Sequence, residues 1–149
     1  MDEADLKRAR GNYLFSCGLA LIAALTGIAV PAAAEGGFEK PRLELVLVGL
    51  GAIAIFVWVV AGMRRGDPEP DTPEMARSTS RLRKMSLLWL GLAAALGVSV
   101  VRAPVSALLD GTAAELPALN WLGLAAGLLI AGVALWRIGA AVLRRNRNE

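Results

Sequence analysis

Four long apolar blocks, separated by short charged stretches, organise this chain. They cover residues 12–34, 45–63, 85–101 and 116–136, and the last continues past Arg137 to residue 143. A helix needs about 20 mostly apolar residues to cross a hydrocarbon core about 30 Å thick. Backbone groups in hydrocarbon must bond within their own segment, so each block predicts a membrane-spanning helix. The third block has only 17 uncharged residues before Arg102. Snorkelling by that guanidinium lengthens it, and Pro104 is expected to end or kink it, leaving residues 105–109 as one apolar turn along the surface.

The placement of cationic residues adds an orientation. Lys7, Arg8, Arg10, Arg64, Arg65, Arg77, Arg81, Arg83, Lys84, Arg144, Arg145 and Arg147 fall on one side of a four-span topology, and only Lys40, Arg42 and Arg102 on the other. Basic residues accumulate on the cytoplasmic side, so both termini and the central loop are expected there. Trp58, Trp89, Trp121 and Trp136 sit towards span ends, where interfacial aromatics anchor helices. The start of the chain also has features of a cleavable signal, with Lys7 to Arg10, an apolar run and Ala32-Ala33-Ala34 before Glu35. Against cleavage, the apolar run is long for that role and acidic residues dilute the basic segment. The Ala, Arg and Gly content suggests a GC-rich bacterium and hence an inner, plasma membrane.

The fold class expected is therefore all-α: an integral membrane four-helix bundle forming one membrane domain over residues 1–149. A shift of 73 residues aligns the first and third spans without a gap. Arg8 meets Arg81, Arg10 meets Arg83, Leu14 meets Leu87, Gly18-Leu19-Ala20 meets Gly91-Leu92-Ala93, and Pro31 meets Pro104. Thr26 meets Ser99 and Ile28 meets Val101 conservatively. The second arms match less regularly, Gly49-Leu50 with Gly123-Leu124 and Pro41 with Pro117 at slightly different shifts. The preferred reading is a duplicated hairpin, with repeats 7–65 and 81–145 joined by a cytoplasmic linker, 66–80. Both repeats would start and end on the same side, related by a two-fold axis along the membrane normal. The other reading is chance similarity between two basic-flanked Ala/Leu/Gly helices. Residues 66–74, rich in Pro and acids, predict an extended solvated linker. The basic run 77–84 is expected to lie on the anionic inner leaflet.

Small residues four apart form grooves that let helix backbones approach closely. Gly123, Gly127 and Ala131 do so on the fourth span, and Gly91, Ala95 and Ser99 on the third, with Gly18 the counterpart of Gly91 on the first. These are the candidate packing or interface residues. Thr26 and Ser99 form the candidate polar site, since repeat symmetry would let them face each other.

The remaining composition mostly excludes. The chain has no histidine and one cysteine, so bis-histidine haem ligation, a His base, ordinary zinc sites and an intrachain disulfide are unavailable. No acidic residue sits in mid-span to carry the alternating protonation of a proton-coupled exporter. No catalytic, cofactor-binding or metal-binding residues are assigned, no cofactor is expected, and nothing suggests nucleic acid as a partner. The leading expectation is a non-catalytic accessory or assembly subunit of a larger membrane complex. The alternative is a small homo-oligomeric channel or transporter. An enzyme acting on lipid or quinone is a weaker third, since only loop acids such as Glu35, Asp110 and Glu115 are available. Expected partners are the lipid bilayer and either other membrane subunits or further copies of the chain.

Overall fold

A computed structural model describes residues 3–34, 43–63, 73–112 and 118–146. Among these, all regular structure is helical: α1 (Glu3–Ala34), α2 (Leu43–Met63), α3 (Pro73–Leu109) and α4 (Ala118–Asn146). Each contains a stretch long and apolar enough to cross a membrane. The expectations for Glu35, Lys40, Pro41, Arg42, Arg64, Arg65, Glu115, Pro117, Arg147 and the linker residues 66–72 lie outside the described residues.

The distribution of side chains by size fits a lipid solvent. Ala20, Ala23, Ala93 and Ala134 are at most 3% exposed, while Trp58, Leu88, Leu122, Leu129 and Trp136 point outward. Water would drive the large apolar groups inside. Lipid removes that drive, so helices associate through close packing of small residues and interhelical hydrogen bonds. This is the arrangement of a multi-pass membrane protein.

α1 and α3 lie side by side and parallel. Ser16 bonds Ser86, and Val100 is the nearest side chain to Gly27. α4 runs antiparallel to both, with Arg137 at Asn12, Gly123 at Val30 and Gly127 at Gly97. These three helices form the core. α2 is also antiparallel to α1, with Phe56 nearest Gly18 and Gly49 nearest Leu25. Among the described residues, the backbone of α2 comes close to that of α1 alone.

Most buried residues of α1 and α3 recur at steps of three, four or seven: Leu6, Ala9, Tyr13, Ser16, Ala20 and Ala23 on α1, with Cys17 buried beside this row, and Met75, Thr79, Ser86, Leu90, Ala93, Gly97, Val100 and Pro104 on α3. This is the heptad spacing of helices crossing at a shallow angle. It accounts for two departures from expectation. Residues 73–80, expected within the linker, form the first turns of α3. Pro73 suits a first helical position because its missing N–H would have had no intrahelical partner; Met75 and Thr79 extend the buried seam into these turns, while Arg77, Arg81, Arg83 and Lys84 are exposed. At the other end, α3 passes through Pro104 to Leu109. Pro104 deprives the Val100 carbonyl of its helical donor, yet its buried ring stays in the seam. The helix closes at Gly111, whose φ is +74°, where Thr112 N–H donates to the Ala107 carbonyl at 3.0 Å. That six-to-one bond beside a left-handed glycine is a Schellman cap.

Candidate functional site

At the basic end of the bundle, where α1, α3 and α4 meet, two buried serines lie beside the exposed Asn12 and half-buried Arg137. Asn12 is the hub. Its side-chain oxygen accepts a hydrogen bond of 2.9 Å from the Arg137 guanidinium of α4. Its backbone carbonyl accepts Ser16 Oγ at 2.7 Å and, more weakly, Ser86 Oγ of α3 at 3.4 Å. The two serine oxygens lie 2.9 Å apart, and both serines are buried. Arg137 also sits over the Phe15 ring, 4.3 Å from its centroid. A guanidinium can stack on an aromatic face while its edge N–H groups donate elsewhere, which an ammonium cannot do as well. Arg137 is thus tied to α1 by one hydrogen bond and one cation–π contact.

On the other side of α1, Tyr13 and Cys17 form a buried cluster with Val59 of α2. Phe56, Met63, Leu82 and Trp89 pack against it. Because α2 does not close onto α3, a crevice of about 290 Å³ remains between them. Its walls are Tyr13, Trp58, Val59, Gly62, Met63, Leu82 and Met85, with Ser78 and Arg81 bringing polar atoms. A shallower hollow on the α3 surface is lined by Ala76, Arg77, Ser80, Arg81 and Lys84, so Arg81 borders both.

The residues singled out from the sequence are distributed differently. Gly123 and Gly127 of α4 are buried. A β-carbon on Gly123 would sit 2.8 Å from Val30, and one on Gly127 2.8 Å from the Gly97 carbonyl oxygen. Ala131 is 7% exposed and its backbone nitrogen closes on Gly97. Gly18 is in ordinary contact with Phe56 across α1 and α2. Gly91, Ala95 and Ser99 are exposed, and a β-carbon on Gly91 would meet nothing within 4 Å. The α3 residue that faces α4 is Gly97. Thr26 and Ser99 lie at the same level, since their neighbours Gly27 and Val100 are in contact. Their side chains are not brought together: Thr26 Oγ1 donates to the Ile22 carbonyl at 2.8 Å, and Ser99 is on the exposed side of α3.

The node has the chemistry of a fastening. Its hydroxyls bond each other and a main-chain carbonyl, and no described hydrogen bond gives either serine a basic or acidic side chain. Every buried side-chain nitrogen and oxygen among the described residues has a partner. Asn12 and Arg137, respectively at the start of an apolar block and near the end of one, were the signal for it in the sequence. Their pairing across 125 positions was not visible there. No protein-family model, curated protein or solved structure matches the chain.

Proposed function

We propose that this chain is a non-catalytic accessory or assembly subunit of a larger complex in a bacterial inner membrane, with both termini and the α2–α3 connection in the cytoplasm. The observation that carries the reading is the position of α2. Val59 is the one buried residue of its membrane-crossing window, and Leu47, Leu50 and Val57 are exposed. A helix that packs on one neighbour leaves most of its circumference for a partner or for lipid. The tight interior supports the same reading: α3 and α4 meet backbone to backbone at Gly97 and Gly127, leaving little width there for a path through one copy.

Two tandem hairpins remain the preferred account of how the chain arose. The offsets across the α1–α3 contact, 70 at Ser16 and Ser86 and 73 at Gly27 and Val100, centre near the shift that aligns the spans in sequence. α4 then leans on α1 where its counterpart α2 stands off α3, so the symmetry is incomplete.

A homo-oligomeric channel or transporter is the second reading. The exposed face of Gly91, Ala95 and Ser99 favours it, since a second copy could approach there closely. Purification in mild detergent at native abundance, with mass spectrometry of co-purifying chains, separates the two. Stoichiometric foreign membrane subunits support the accessory role. A homo-oligomer alone contradicts it and directs attention to flux assays.

A further inference from the structure

We propose that the crevice between α2 and α3 is a binding site for one anionic phospholipid of the leaflet at the bundle's basic end. The acyl chain lies between the two helices and the phosphate sits on Arg81. The inference requires only that the chain spans a membrane and is independent of the accessory-subunit role.

The crevice exists because α2 packs on α1 and not on α3. Its walls are side chains an acyl chain can wet, chiefly Val59, Met63, Leu82 and Met85. In a bilayer, a slot of this kind that opens sideways between helices is filled by lipid hydrocarbon, because leaving it empty forfeits dispersion contacts on every wall. The headgroup end is defined by charge. Arg81 borders the crevice, and Arg77 and Lys84 join it around the adjoining hollow. Among the described residues, no acidic side chain lines either one. A guanidinium donates to phosphate oxygens in a paired geometry, and Ser78, half-buried beside it, offers a hydroxyl. Trp58 is 74% exposed at the same level, where an indole lies among headgroups. Hydrocarbon on one side and three cations on the other match a phospholipid of net negative charge. Inorganic phosphate would use only the polar end, and a hydrophobic peptide would leave the cations unanswered.

The test is native mass spectrometry of the full-length chain in detergent, titrated with phosphatidylglycerol or phosphatidylcholine of identical acyl chains. One phosphatidylglycerol per chain is expected to bind in preference to phosphatidylcholine. Arg81→Gln should weaken that binding about tenfold, the order expected on losing a charge-assisted hydrogen bond. Arg144→Gln, at the same end but on α4, should leave it unchanged. Gly62→Leu fills the crevice from a position where an added β-carbon meets nothing within 4 Å. It should abolish the tight adduct while helical content and elution volume stay those of the parent. Equal losses from Arg81→Gln and Arg144→Gln would reduce the effect to general surface charge and overturn the site. So would undiminished binding to Gly62→Leu, or displacement of the lipid by inorganic phosphate alone.

Discussion

The Gly97 carbonyl oxygen lies so close to Gly127 that a β-carbon on Gly127 would sit 2.8 Å from it. The reverse is equally tight, since a β-carbon on Gly97 would be 2.9 Å from the Gly127 carbonyl oxygen. The obstacles are backbone atoms, which cannot rotate away. Gly97→Ala and Gly127→Ala should therefore each destabilise the folded chain by about 1–3 kcal/mol, the usual cost of overpacking. Gly91→Ala, on the open face of the same helix, should be neutral or stabilising by up to about 1 kcal/mol through helix propensity. Unfolding by denaturing detergent titrated into mild micelles measures all three. Equal effects at positions 91 and 97 would mean that the helix is rotated from the face described.

Arg137 and Asn12 should be energetically coupled. Replacing either with Leu removes the interhelical bond, and replacing both should cost less than the sum of the single changes. The coupling expected is about 0.6 kcal/mol, the mean for side-chain hydrogen bonds in membranes, with an upper range near 1.7. Arg137→Lys should recover only part of it, because an ammonium cannot both cover Phe15 and reach Asn12 with the same geometry. Full additivity in a double-mutant cycle would show the pair to be incidental.

Ser16 and Ser86 are predicted to tolerate loss of the hydroxyl better than gain of bulk. Ser16→Ala leaves Ser86 its weak bond to the Asn12 carbonyl and should cost less than about 1 kcal/mol. Ser16→Leu forces extra volume into a site that is 1% exposed and should cost about 1–3 kcal/mol. A large loss from Ala with little further loss from Leu would point to a role beyond packing.

The end of α3 depends on Gly111. Its φ of +74° lies in the left-handed region that a β-carbon disfavours by roughly 1–2 kcal/mol. Gly111→Ala should fray the last turns of α3 and speed amide exchange there, near Asp110 and Thr112. Gly139→Ala, where nothing lies within 4 Å of the added carbon, should not.

Span number was legible in the sequence because hydrocarbon demands long uninterrupted apolar segments, and the charges between them were equally plain. The helix faces were harder to read. α3 carries small residues at 91, 93, 94, 95, 97 and 99, so grooves with four-residue spacing occur on more than one face. Position 97 is selected by the seam that Met75 and Thr79 begin outside the apolar block, where the pattern is amphipathic and therefore informative. In the apolar block itself, lipid-facing and helix-facing positions share one composition. The polar node was illegible for another reason: residues 12, 86 and 137 are joined only by the three-dimensional register. Pro104 marked a conformational preference that the surrounding helix overrides, and Gly111, seven residues later, supplies the stop.

Disulfide trapping in native membranes tests this parallel α1–α3 register most directly. In a Cys17→Ala background, with the sole native cysteine removed, Ser16→Cys/Ser86→Cys should form an intrachain bond on mild oxidation. Thr26→Cys/Ser99→Cys should not, because the two positions share a level but Ser99 is on the exposed face. Bonding at 26 and 99 with none at 16 and 86 would contradict the packing of the core.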